Sequence, residues 1–211
     1  MHILLLGATG RVGSHVIEYA LAADLHVTAL ARQRSKIQTS SPNLTVVEGD
    51  IQHPQAFIDQ LQQQSFDVLI NVVGGDVFKP STVVTDSVKA ALAAVRQLQI
   101  PRYLGITGVA EMPACGLGGS ITAALLRRSP IRHAVHDHDN AFALVKETAD
   151  MDWVLAGCPY IRDGRHTASY KVVPGCFPGG FKLISPEDVA DFLTREAREQ
   201  RYSRQIVGIW N

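Results

Sequence analysis

Residues 4–13, Leu-Leu-Leu-Gly-Ala-Thr-Gly-Arg-Val-Gly, leave few folds open to this chain. The apolar run Ile3, Leu4, Leu5, Leu6 reads as a strand buried on both faces, as strands of a covered parallel sheet are. Gly7 ends it, and Gly10 and Gly13 follow at three-residue intervals. A helical pattern starts there, with Val12, Val16, Tyr19 and Ala20 on one face. Strand, glycine turn and helix N-terminus make a cradle for a diphosphate. The glycines let the backbone turn tightly and come close to the phosphates. The unpaired N–H groups and the helix dipole face the negative charge. The Gly-x-x-Gly-x-x-Gly spacing is weak on its own. Its place between a buried strand and an amphipathic helix gives it force.

The segment after the second strand bears on which dinucleotide fits. Leu25–Leu30 reads as that strand, and Ala31-Arg32-Gln33-Arg34-Ser35-Lys36 follows it. A site selective for NADH would offer an acid here to the ribose 2′-hydroxyl. This segment carries no acid and three cations. Guanidinium groups pair bidentately with phosphate, so Arg32 and Arg34 predict a 2′-phosphate and hence NADPH.

At 211 residues the chain is the size of one domain with a single sizeable core. Its 20 basic and 20 acidic residues balance, which gives no broad electrostatic footprint for nucleic acid or an anionic membrane. The three cysteines, Cys115, Cys158 and Cys176, are odd in number and far apart. They suggest neither a disulfide framework nor a zinc site, and they suit a reducing cytosol. The first strand follows Met1 so closely that no signal peptide is expected, and no apolar stretch reaches the length of a membrane span. A cytoplasmic protein, monomeric or weakly dimeric, is the expectation.

Strand and helix then alternate. Leu44–Val47 reads as a third strand, ending at Glu48-Gly49-Asp50-Ile51, and Pro54 opens a helix to Gln64. Phe66–Val73 is a fourth buried strand closed by Gly74-Gly75, and a helix spans Ser81–Leu98. Tyr103–Thr107 is a fifth strand. A helix near Asn140 to Ala149 precedes a sixth, Trp153–Ala156. This order predicts a Rossmann-type, doubly wound parallel sheet in an α/β domain covering 1–211. Ligands of such sheets lie beyond the carboxyl ends of the strands, so Gly7, Arg32, Asp50, Gly74, Thr107 and Pro159 should surround one cleft. Further on, Lys171–Pro174 and Phe181–Ile184 read as a hairpin or as two separate extended pieces. Ser185-Pro186-Glu187-Asp188 is a helix start with a serine cap and proline in the first turn. That helix runs to about Gln200, and Gln205–Trp210 is a terminal strand. Residues 109–135 and 160–185 are read as substrate-side segments.

Gly7-Ala8-Thr9-Gly10-Arg11-Val12-Gly13, Glu48-Gly49-Asp50-Ile51 and Ser185-Pro186-Glu187-Asp188-Val189-Ala190 together resemble the atypical short-chain dehydrogenase/reductases. More narrowly, the chain is similar to the NAD(P)H-binding group that includes biliverdin-IXβ reductase/flavin reductase and the NmrA-like proteins. Asp137-His138, Lys146-Glu147 and Pro159-Tyr160-Ile161-Arg162-Asp163 carry the likeness further along the chain. The resemblance implies NADPH lying across the strand ends. It places Thr9, Gly10 and Arg11 near the diphosphate, Asp50 and Ile51 beside the adenine, and Val73, Gly74 and Gly75 under the central ribose. Val12 and Gly13 complete the turn, and Pro159 and Ile161 border the nicotinamide.

Two departures matter. None of the five tyrosines, Tyr19, Tyr103, Tyr160, Tyr170 and Tyr202, has a lysine four residues later. The Tyr-x-x-x-Lys pair that exchanges a proton with an alcohol is therefore missing. Where the flavin and biliverdin reductases commonly have Thr-Ser, this chain has Thr107-Gly108, and Tyr160 rather than histidine follows Pro159. Reduction of a flat conjugated acceptor still needs mainly that the acceptor be held against the nicotinamide. His138 and Tyr160 are the candidate proton donors, with Thr107 as an orienting hydroxyl. Arg127, Arg128 and Arg132 are read as loop charges with reach to an anionic substrate, and Gly116, Gly118 and Gly119 as a loop or flap. His133, His136, Asp137, His138 and Asp139 read as a polar loop beside a helix rather than a metal site, which would need converging ligands. The expected function is an NADPH-dependent reductase of a flavin, quinone or biliverdin-like acceptor. A non-catalytic NADP(H) sensor of NmrA type is the alternative, and an epimerase or dehydratase is disfavoured by the missing pair.

Overall fold

A computed structural model describes residues 1–148, 151–164 and 167–211. In chain order the elements are β1 (His2–Leu6), α1 (Arg11–Ala22), β2 (His26–Ala31), β3 (Leu44–Glu48), α2 (Pro54–Leu61), β4 (Val68–Asn71), α3 (Val83–Gln97) and β5 (Arg102–Gly108). Then follow α4 (Gly116–Arg128), α5 (Arg132–Lys146), β6 (Asp152–Cys158), β7 (Tyr160–Ile161), β8 (Lys171–Pro174), β9 (Leu183–Ile184), α6 (Pro186–Glu199) and β10 (Gln205–Trp210). The main sheet has the order β3-β2-β1-β4-β5-β6-β10-β8. Every neighbouring pair is parallel except β10 with β8. This is the expected doubly wound α/β sheet.

The strands alternate their side chains between two helical layers. Leu4 and Leu6 of β1 join Leu69, Tyr103 and Trp153 in a core beneath α2, α3 and α5. Ile3 and Leu5 join Val27, Leu104 and Val154 in the core shared with α1 and α6. Burial on both faces explains why β1 reads as an unbroken apolar run: Ile3, Leu4, Leu5 and Leu6 are all inaccessible. At about 1.5–3 kcal/mol for each such side chain, this strand anchors the turn that follows it. On α6 the serine cap forms as expected, with Asp188 N–H donating to Ser185 Oγ at 3.0 Å.

The substrate-side half departs from expectation at α4, at α5 and at its cysteines. Residues 116–128 form helix α4 instead of a flap, and the histidine-rich stretch lies within α5 instead of a loop. The expected end of that helix at Ala149 lies outside the described residues. The two extended pieces separate: Lys171–Pro174 pairs antiparallel with β10, whereas Leu183–Ile184 pairs in parallel with Tyr160–Ile161. Cys115 and Cys176 form a disulfide across 61 residues of sequence, and Cys158 is free and buried. The odd cysteine count had hidden a pair and a bystander. With a disulfide present, the cysteines no longer favour a reducing cytosol.

Candidate functional site

The site is built at the carboxyl edge of the sheet, and its floor is the turn from β1 to α1. Gly7 has φ +84°, the left-handed region open to glycine, and a Cβ there would lie 2.8 Å from the Val72 carbonyl carbon and the Val73 nitrogen. Gly13 is tighter still: a Cβ would lie 2.1 Å from the Gly7 carbonyl oxygen. Gly10 N–H donates to Gly7 O at 3.0 Å, and Ser14 N–H donates to Gly10 O at 3.1 Å. The helix therefore starts with Gly10 as cap, and the amides of Arg11, Val12 and Gly13 have no acceptor inside it. Three glycines draw the backbone into a shallow cup with amide hydrogens at its rim. The tight glycine turn between β1 and α1 is present as expected.

The other expected residues gather along the same edge. Asp50 and Ile51 follow β3, and the Asp50 carboxylate accepts Gln52 N–H at 3.1 Å, fixing the turn. Val73, Gly74 and Gly75 follow β4, with Val73 N–H donating to Asn71 Oδ1 at 3.2 Å. Asn71 in turn donates to Ser87 Oγ at 3.0 Å and to the Tyr103 hydroxyl at 3.3 Å, which ties this edge to α3 and β5. Thr107 is the penultimate residue of β5, and Pro159, Tyr160 and Ile161 follow β6. Arg11 spans the two ends of the set: it donates to Asp163 Oδ1 at 3.1 Å and to Ile161 O at 3.5 Å. This contact draws the segment after β6 up to the start of α1.

The basic segment after β2 holds something the linear reading could not reveal. Ala31 pairs with Glu48 in the sheet register, so the β3 acid sits beside the arginines. The Arg34 amide donates to Glu48 Oε1 at 2.8 Å, and its guanidinium donates to Val46 O at 3.1 Å. Arg34 therefore braces its own loop, while Arg32, Arg34 and Lys36 are all exposed.

The candidate proton donors fare unequally. Tyr160 is 57% exposed on the small β7–β9 sheet, open to a ligand. His138 lies well inside α5, with Nδ1 buried and lacking a partner among the described residues. Burial lowers its pKa below the usual imidazole value, more strongly than Asp137 and Asp139 raise it. Asp137 caps α3, accepting from the amides of Val84 and Thr85, each at 3.0 Å. Arg127, read from sequence as a loop charge, is committed: it pairs with Asp139 and donates to Ala110 O at 3.1 Å. Among the described residues no group of three histidine, cysteine or acidic side chains is placed to hold a metal ion.

Sequence reasoning missed Glu111. It lies in a single 3-10 turn (Val109–Glu111) after β5, 8% exposed, with its carboxyl beside Thr107. Burial pushes its pKa up to about 7, with Asp139 adding to the rise, against the pull of Arg127 and Thr107. No periodic pattern surrounds it, so only the folded chain exposes the pairing.

Sheet order, twin helical layers and the glycine cup define a single-domain, Rossmann-like α/β protein. A family model described as NAD(P)H-binding matches residues 7–200, and the chain belongs to that family. Solved structures repeat the fold from end to end. A candidate NADH-flavin reductase from Streptococcus pneumoniae superposes with TM-score 0.79 at 19% identity, covering 100% of this chain and 99% of that one. A short-chain dehydrogenase/reductase from Veillonella parvula, solved in complex with NADP, gives 0.75 at 18%, with 100% and 94% covered. A candidate exported protein from Burkholderia pseudomallei gives 0.77 at 21%, with 100% of both chains covered. No helix among the described residues is long and apolar enough to cross a membrane.

Proposed function

We propose that this protein is an NADPH-dependent reductase of flat conjugated acceptors such as flavins, quinones or biliverdin-like tetrapyrroles. The observation that carries the nucleotide is the cup of Gly7, Gly10 and Gly13, which side chains would fill and which the helix amides rim. Thr9, Gly10, Arg11, Val12 and Gly13 would hold the diphosphate. Asp50 and Ile51 would flank the adenine, and Val73, Gly74 and Gly75 would lie under the central ribose. Thr107, Pro159, Tyr160 and Ile161 would border the nicotinamide, which when bound supplies two electrons and a proton as hydride.

Arg32 is the group proposed to meet the 2′-phosphate, and Arg34 to hold the loop that carries it. Glu48 works against a second phosphate here, so the preference for NADPH should be graded rather than absolute. Segments 109–135 and 160–185 supply the acceptor side. They present large apolar side chains to solvent, Leu117 and Phe181 each 83% exposed and the Tyr160 ring 57%. Planar apolar surface of this kind suits a conjugated acceptor better than a polar sugar. The missing Tyr-x-x-x-Lys pair points the same way, because alcohol chemistry needs that proton exchange.

Steady-state oxidation of NADPH and NADH with FMN, a quinone and biliverdin tests the proposal. Turnover of at least one acceptor, faster with NADPH at subsaturating nucleotide, is expected. Tight NADPH binding with no turnover of any acceptor would instead make the protein an NADP(H) sensor.

A further inference from the structure

We propose that Glu111 stores the proton delivered to the acceptor and passes it through the Thr107 hydroxyl. The inference rests on the reductase reading and names the proton source within that same site. Thr107 stands at the carboxyl end of β5, and its Oγ1 lies 3.4 Å from Glu111 Oε2. The other carboxyl oxygen, Oε1, is buried and has no hydrogen-bond partner among the described residues. Gly108 lies between the two, and a Cβ on it would meet Glu111 Oε2 at 2.8 Å. The carboxyl therefore fills the space that a side chain at position 108 would take, directly behind the strand-end hydroxyl.

A purely structural carboxylate would be expected to satisfy both oxygens, because an unpaired buried acceptor is costly. Arg127, the cation whose charge acts on Glu111, is bonded to Asp139 and to Ala110 O instead of to Glu111. Around Glu111, α4 offers Arg127, and α5 offers Asp139. Asp137 of α5 is engaged on α3, and burial lowers the pKa of the adjoining His138 imidazole. From β6 the nearest titratable group is Cys158, whose buried thiol stays protonated. One cation and one anion already paired leave the carboxyl little reason to ionise, in keeping with a pKa near neutrality.

The step balances simply. The nucleotide is oxidised by two electrons and the acceptor reduced by two. As charge develops on an acceptor heteroatom, the Thr107 O–H bond breaks toward it and Glu111 reprotonates Thr107 Oγ1. Glu111 is left as carboxylate and recovers its proton from solvent. It acts through Thr107 and is a positioning residue, whereas Thr107 would touch the acceptor.

The test compares wild type, Glu111→Gln and Glu111→Asp in acceptor reduction across pH. Wild-type kcat should fall as pH rises above about 7, the value at which Glu111 ionises. Glu111→Gln should lose that limb, with kcat down on the order of 100-fold and KM for NADPH unchanged. Glu111→Asp should restore part of the rate and the limb. A second readout needs no nucleotide. Because the folded pKa is raised from 4.5 to about 7, the proton-bound carboxyl stabilises the fold below pH 4.5, and that contribution is lost as pH climbs through 7. The Tm of wild type should therefore fall relative to Glu111→Gln between pH 5 and 8. A wild-type limb that persists in Glu111→Gln, or a pH-independent Tm difference, would overturn the role of Glu111 and leave the reductase reading standing. No turnover of any acceptor by wild type would overturn both.

Discussion

The two halves of this sheet are held together differently. On the β1-β2-β3 side consecutive strands are sheet neighbours, β4 returns beside β1, and the site residues sit in turns a few residues long. From β5 onward, order depends on groups that meet from far apart in sequence. Arg102 reaches Asp152 and, at 2.5 Å, Glu196, which lies 94 residues away. Cys115 reaches Cys176, and Phe177 N–H and O bond across to Pro113 and Cys115. The nucleotide half is set by local backbone chemistry and the acceptor half by distant clamps. Damage to the first should cost binding, and damage to the second should cost stability with nucleotide affinity intact.

The clamp at Arg102 should show the largest effect. Its side chain is 6% exposed and that of Glu196 2%, so Arg102→Ala leaves a buried carboxylate without its cation. A loss of about 3–5 kcal/mol in unfolding free energy is expected by urea titration. Any folded fraction should bind NADPH normally. Opening the disulfide comes next. Cys115→Ser with Cys176→Ser frees a 61-residue span and should cost roughly 2–4 kcal/mol by the same titration, again with nucleotide affinity preserved. A matching fall in NADPH affinity would mean that the halves are coupled.

The local lesion is smaller in energy and sharper in function. Gly13→Ala forces a Cβ against Gly7 O and should cost about 1–3 kcal/mol in melting experiments while weakening nucleotide binding severely. Last comes selectivity. Arg32→Ala should weaken NADPH by roughly 10- to 100-fold, the worth of one charge-assisted hydrogen bond, and leave NADH almost unchanged. Equal losses for both nucleotides would remove Arg32 from the 2′-phosphate.

The same contrast explains what could be read in advance. The turn at 7–13 was legible because buried strand, glycine spacing and helix onset follow one another without a gap. The cap at Ser185 was legible for the same reason, since its donor and acceptor lie three residues apart. Helix α4 was not, because Gly116, Gly118 and Gly119 argue against helix by propensity. Packing decides instead: a Cβ on Gly119 would lie 2.3 Å from Phe177 O, so the glycines let the clipped segment approach. Nor could the antiparallel partner of β10 be read from sequence, because either extended piece had the composition for it. Glu48 beside Arg34 needed the register of β2 on β3, and Glu111 behind Thr107 needed the turn after β5.

The central claim is that the β1–α1 cup binds the nucleotide diphosphate. Calorimetric titration of NADPH into wild type and into Gly13→Val, with folding of each checked by circular dichroism, tests it most directly. Saturable one-to-one uptake by wild type and none by a folded Gly13→Val is the expected result. No uptake by wild type, or equal uptake by both, would contradict it.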